Sequence, residues 1–421
     1  MNNVLVGLLV IFGFGLAYNY ARVNDEPRRL GLEKYVYLTI SFYYIVIPTL
    51  YLVYFDYVRS STNNFWIVNT FVDDLDYFYT VFIYMSAIPS ILFGINVGKR
   101  VKINQGEVDA KTMELLYRVL IIIASISSLI TFVYVIKVGG FYKAIIDANL
   151  YRAHGLMERP VGQFAKFQPY VVYASLLLLP SKKKVNKIFI VVSIYYLIIE
   201  ASRTNFAFYF ISFFLYYLNT RKKFSITYLL VPIIVGFSLA AFGNQLTNFV
   251  ETGEWVNDGK VFSSIISQFS PAFSNVMNMK QFVDSFGFGF FYDATSLFPQ
   301  QLFGLEKTVK TWEYLTTHYL GGFYTVGIPI DLFSYGYSQL SFIGVLGYCF
   351  GYGFLVGLGK KYILTLHRKG GGDFSIILEI VFCMYASYIL LWASLDSTVF
   401  YGTSKYWLII GLVVVVLRLK K

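Results

Sequence analysis

The sequence predicts an all-α polytopic integral membrane protein of about eleven transmembrane helices (10–12) with one large extracytoplasmic loop. Three observations predict it. Of 421 residues, 57% are hydrophobic and only 14% charged, where a soluble domain carries about 25% charged residues. Apolar runs recur at the length that a hydrocarbon core about 30 Å thick demands of a helix. The basic residues fall in short clusters between those runs, as membrane orientation requires. A soluble globular enzyme, a disordered chain and a nucleic-acid binder are excluded, although the net charge is +11.

Taken at roughly 20 residues per span, the helices are expected at 2–20, 35–58, 77–98, 116–137, 163–180, 187–201, 204–219, 225–243, 333–359, 374–395 and 405–418. The first apolar run, Val4 to Ala17, has no basic residue ahead of it, so a retained span is expected rather than a cleaved signal. The sixth and seventh helices are two arms of one apolar stretch, Ile188 to Tyr217, interrupted at Glu200, Ser202, Arg203, Thr204 and Asn205. Basic clusters at Lys182–Lys184 with Lys187 and at Arg221–Lys223 flank this stretch, which makes it a hairpin with its apex outside. Each arm measures about 21–24 Å, so the apex is expected several Å below the outer surface. The ninth helix carries Gly344, Gly347 and Gly351 on one face and Gly353 with Gly357, which permits close packing. Glu379 in the tenth is expected to reach the cytoplasmic interface. Cys349 and Cys383 lie in apolar segments and form no disulfide framework. The organisation is one membrane domain: helices 1–8 over 1–243, the large loop over 244–332 and helices 9–11 over 333–421.

Orientation follows from counting Lys and Arg on alternate sides. One side collects 23 and the other 12, which recovers all 35. The richer side belongs in the cytoplasm. The N-terminus is then outside, the C-terminus inside, and the long segments 138–162 and 244–332 emerge on the outer face of the membrane. The loop 244–332 is the only soluble-looking part of the chain, and extracytoplasmic chemistry is the natural expectation for it.

Arg203 is the residue with the most to say. An Arg below the membrane surface costs about 3 kcal/mol on insertion scales unless it is paired or wetted. It stands at the start of a helix whose free N–H groups favour an anion. The pattern suits a phosphate or pyrophosphate head group; an Arg203–Glu200 pair that pins the hairpin is the structural alternative. In the segment 139–160, Phe141, Ile145, Ile146 and Leu150 predict an interfacial amphipathic helix, followed by Arg152, His154 and Arg159. Guanidinium groups bind phosphate bidentately, or touch lipid head groups. His318, with Glu313 and Asp331 near it in sequence, is a candidate general base, and His154 has a similar claim. The three His are scattered, and no phosphate-binding GxxxxGK[ST] loop or nucleotide-sugar DxD pair is in place. No metal or cofactor is expected.

Two stretches resemble the Wzy-type O-antigen polymerases, the oligosaccharide repeat-unit polymerases of bacterial surface polysaccharides. The apex ASRTNF, 201–206, is similar to their Ser-Arg turn between short helices. The stretch GIPIDLFSYGYSQLSFIGVLGYCFGYGFLVGLG, 327–359, resembles their exit from the outer loop into a glycine-rich helix. The resemblance implies a metal-independent, inverting glycosyl transfer on the outer face. The donor is a glycan on undecaprenyl pyrophosphate, the acceptor a sugar hydroxyl of a new lipid-linked unit, and a chain-length regulator is an implied partner. Arg203 and Arg152, supported by Arg159, are expected to hold the pyrophosphate. His318 or an outer carboxylate is expected to take the acceptor proton. An O-antigen ligase of the same architecture and a flippase for the lipid-linked unit are the rival readings. The halves of the chain do not resemble each other, which disfavours the flippase.

Overall fold

A computed structural model describes residues 2–23, 30–54, 74–103, 107–148, 160–200, 203–220, 330–393 and 403–418, with positions 275–276, 293, 311, 313 and 316–317. The regular elements among them are helical. They are α1 (Asn2–Arg22), α2 (Leu32–Val53), α3 (Asp74–Arg100), α4 (Ala110–Val138), the short α5 (Phe141–Ile146), α6 (Tyr170–Leu177), α7 (Asn186–Ile199), α8 (Arg203–Thr220), α9 (Leu332–Leu366), α10 (Gly372–Leu391) and α11 (Ser404–Arg418). Five helical runs are long and apolar enough to cross a membrane: Asn3–Arg22, Leu32–Val53, Leu75–Arg100, Ala110–Val138, and Leu332–Leu391, which joins α9 to α10. Asn186–Ile199 is apolar but shorter. The expected span 225–243 and nearly all of the loop 244–332 lie outside the described residues.

Local chemistry sets several of these boundaries. The Asp109 carboxylate accepts from the Thr112 N–H at 2.8 Å and starts α4. Gly139, with φ +100°, ends it in the left-handed conformation that glycine adopts without penalty. A π-turn at Phe42–Val46 inside α2 rotates Tyr44 into the core, where it is fully buried.

Two glycine pairs, Gly94 and Gly98 on α3 and Gly353 and Gly357 on α9, bring these helices into backbone contact. A methyl added at Gly94 would overlap the carbonyl oxygen of Phe350, and one at Gly98 that of Phe354. Methyls at Gly353 and Gly357 would overlap the carbonyls of Ile91 and Ile95. Numbers rise together along both helices, so α3 and this part of α9 run parallel. Each carries small residues four apart, the pattern by which membrane helices approach closely. Gly347 and Gly351 face open space.

The ninth span departs from the single helix expected over 333–359. Leu340 (φ −139°) and Ser341 (φ 56°) break it, and the first arm folds back onto the second. A Cβ on Gly336 would lie 2.8 Å from the Cα of Val345. Tyr84 of α3 meets Phe333, and Tyr79 meets Tyr337, so the first arm runs antiparallel to α3 before the chain reverses. Hydropathy is blind to this reversal because both arms are equally apolar. Of the described positions in the loop, Asn275, Val276, Asp293, Thr311 and Thr316 are buried, Glu313 is half-buried and Thr317 is exposed. Asp293 accepts from the Thr311 N–H and hydroxyl at 2.9 and 2.6 Å, and Gln339 of α9 donates to Thr311 at 3.4 Å.

The basic clusters meet at one end of the bundle. The Val108 N–H donates to the Lys369 carbonyl at 2.9 Å, and Asn219 makes two hydrogen bonds to the Leu30 backbone. There Glu33, 2% exposed, takes Lys99 at 3.0 Å and Lys360 at 2.6 Å, and accepts from the Tyr37 hydroxyl at 2.9 Å. Glu379 is buried instead of reaching the interface, because it accepts the first free N–H of α2, from Leu32, at 2.8 Å. His367 is half-buried, with its ring Nδ1 2.8 Å from the Ser375 hydroxyl.

Gly353→Ala is expected to cost about 1–3 kcal/mol by overpacking, whereas Gly347→Ala gains up to about 1 kcal/mol of helix propensity. Thermal unfolding in detergent measures both, and equal shifts in the two variants would contradict the backbone contact. Glu33→Gln leaves two lysines without their shared carboxylate, and breaking a buried pair costs about 3–5 kcal/mol. A Glu33→Gln protein that melts with the wild type would show that this cluster does not anchor the bundle.

Candidate functional site

Short helices make a recess at the end away from the basic clusters. α7 has 14 residues and α11 has 15, so Glu200, after α7, and Lys405, at the start of α11, both stand about 21 Å from the basic end. Both charged residues therefore lie at the end of the bundle away from the basic clusters, where the Tyr195 hydroxyl of α7 also reaches the Phe141 carbonyl just past α4.

Lys405 is only 7% exposed. Its ammonium lies 5.9 Å from the ring centre of Tyr173 and 5.7 Å from that of Tyr406, within cation–π range. Glu200 acts on it electrostatically, and among the described residues no carboxylate pairs with it directly. A buried cation held by ring faces and a carboxylate that does not touch it is poorly compensated. It stands ready for an anion.

Both Glu200 oxygens accept from the Asn205 amide at 3.2 Å, which ties the end of α7 to the first turn of α8. Arg203 is the first residue of α8, where free N–H groups and the helix dipole favour negative charge. Around the recess, the Tyr170 hydroxyl donates to Ser404 at 3.1 Å, and Tyr173, Tyr385 and Tyr388 surround the Tyr406 ring. A negatively charged, partly apolar ligand that presents phosphate to Lys405 and the start of α8 has matching chemistry here.

The structure separates the sequence-derived candidates. Glu200 is in the recess, and Arg203 begins the helix beside it. Asp331 lies elsewhere, 2% exposed, as the cap of α9: it accepts from the N–H groups of Phe333 and Ser334 at 2.9 and 3.2 Å, from the Ser334 hydroxyl, and from the Tyr44 hydroxyl at 3.2 Å. Glu313 is half-buried and helical. The Arg203 side chain, Arg152, His154, Arg159 and His318 lie outside the described residues. Of the segment 139–160, Phe141–Ile146 is helical as α5, with Phe141 and Tyr142 58% and 78% exposed and the Tyr195 hydroxyl on the Phe141 carbonyl at 2.9 Å.

Lys405 and Asn205 were not among the candidates. A signal for Lys405 exists: it is a lone Lys at the start of the last apolar run, on the side where positive charge is disfavoured. Its enclosure by Tyr173, 232 positions away in the chain, is a tertiary fact.

The chain thus has the architecture of a multi-pass helical membrane protein with a recessed polar site between its shorter helices. No protein-family model matches it, and no curated protein or solved structure is significantly similar to it.

Lys405→Met removes an uncompensated buried charge and is expected to hold or raise the melting temperature while it abolishes activity; Lys405→Arg is expected to retain part of it. Paired melting and activity measurements decide the point. A Lys405→Met protein that melts well below the wild type would make Lys405 a structural residue instead.

Proposed function

We propose that the protein is a polymerase of lipid-linked oligosaccharides, a glycosyltransferase that joins undecaprenyl-pyrophosphate-linked repeat units into surface polysaccharide on the extracytoplasmic face of a bacterial inner membrane. The observation that carries the reading is the recess: a buried Lys405 that no carboxylate touches among the described residues, and the start of α8, both away from the basic end. By the distribution of positive charge the basic end faces the cytoplasm, and the recess faces outward, where a lipid-linked donor presents its pyrophosphate at membrane depth.

The reaction needs little from the protein beyond charge and position, because the donor carries its own leaving group. The acceptor hydroxyl attacks the anomeric carbon of the growing glycan. The new C–O bond forms as the bond to pyrophosphate breaks, and the lipid pyrophosphate leaves with the electron pair. Lys405, Arg203 and Arg152, supported by Arg159, hold the charge that develops there; hydrogen bonds to ionised groups contribute about 1.5–3 kcal/mol each. Glu200 and Asn205 keep the α7–α8 turn in place. His318, or an outer carboxylate, takes the proton from the acceptor.

Purified protein mixed with the lipid-linked repeat unit, EDTA and no nucleotide sugar is expected to yield a ladder of lengthened glycans on a gel. Arg203→Ala and His318→Ala are expected to lose it, and full-length polymer from either removes that residue from the site. A folded wild type that makes no ladder rejects the polymerase. A lipid-core acceptor then separates a ligase, which would glycosylate it, from a flippase, which would not.

A further inference from the structure

At the opposite end of the bundle, a groove of about 900 Å³ runs between α9, α10 and α11. Its walls are apolar: Leu355 on α9, Leu378 and Ile389 on α10, and Val414 on α11. Leu378 to Ile389 is eleven positions of helix, or about 16 Å, which matches the hydrocarbon depth of one leaflet, about 15 Å. The end of the groove nearest the basic clusters is lined by Lys102, just beyond α3, and Arg418, the last residue of α11. Both are exposed, and neither has a carboxylate partner among the described residues. This distinguishes them from Lys99 and Lys360 a few residues away, which Glu33 neutralises.

We propose that this groove binds one anionic glycerophospholipid from the leaflet at the basic end, with an acyl chain along α10 and the head-group phosphate between Lys102 and Arg418. Each part of the groove fits that ligand. The apolar trough is as long as one leaflet is deep, and its cations stand where the phosphate plane begins. Arg418 presents a planar fork that suits phosphate bidentately, and Lys102 adds a point charge. The two arrive from different helices, so a lipid held by both would bridge α3, α9 and α11. A zwitterionic lipid places its own cation beside them and loses the advantage. The head-group end of the groove lies away from the recess, while Tyr385 borders both, and the proposal does not depend on the polymerase reading.

The full-length protein in detergent, titrated with phosphatidylglycerol or phosphatidylcholine and measured by native mass spectrometry, tests the assignment. One phosphatidylglycerol is expected to stay bound at about tenfold lower concentration than phosphatidylcholine. The double variant Lys102→Ala/Arg418→Ala is expected to bring the two lipids level, with an unchanged melting temperature. Lys184→Ala/Lys187→Ala, at the same basic end but away from the groove, is expected to leave the preference intact. Val414→Trp, which fills the trough, is expected to remove both adducts; if that variant fails to fold, the charge variant still decides. Equal retention of the two lipids by the wild type, or full phosphatidylglycerol retention by the double variant, overturns the proposal. Displacement of phosphatidylglycerol by a polyprenyl phosphate at equal concentration also overturns it, since the groove would then belong to the isoprenoid.

Discussion

One close approach underlies the rest of the described structure: the backbones of α3 and α9 touch through Gly94, Gly98, Gly353 and Gly357. In a bilayer no hydrophobic effect drives two apolar helices together, so association rests on close packing and on polar contacts. Four glycines supply the packing, and the Ser90 hydroxyl adds a hydrogen bond to the Leu346 carbonyl at 2.8 Å. The contact also sets register. It carries Lys99 and Lys360 to the same level, where one carboxylate, Glu33, neutralises both. It places Phe333 against Tyr44 and Tyr84, with ring centres 3.9 and 5.4 Å apart, and so seats the reversal in α9 and its Asp331 cap in the core.

Charge is handled differently at the two ends. Near the basic end the buried ions are compensated: Glu33 has two lysines and a tyrosine, and Glu379 caps a helix. Compensation of this kind stabilises and leaves nothing over for a ligand. In the recess Lys405 has ring faces and a carboxylate that does not touch it. An arrangement that stability alone does not favour is where function is sought. Lys102 and Arg418 at the groove likewise have no carboxylate partner among the described residues.

Much of the candidate site was legible in the sequence, and for a definite reason. A polar interruption in a thirty-residue apolar stretch, flanked by basic clusters, has few topological solutions. The break between α7 and α8, with Glu200 after one helix and Arg203 at the start of the next, follows from that pattern. Lys405 does not, because a Lys near the end of an apolar run reads as an ordinary interfacial residue until the packing of Tyr173 and Tyr406 encloses it. Asp331 was legible as a polar residue beside the ninth span. Its work as a buried cap depends on the chain reversing at Leu340 and Ser341, and nothing in a hydropathy profile records a reversal between equally apolar arms.

The sequence by itself determined the helical class, the approximate limits of most described helices and the grouping of the basic clusters, since each rests on local composition and on the thickness of a bilayer. Tertiary structure decided which glycines meet, which charges are paired and which side chains share the recess and the groove. Those outcomes turn on contacts between positions as far apart as Glu33 and Lys360, and such contacts exist only once the helices have packed.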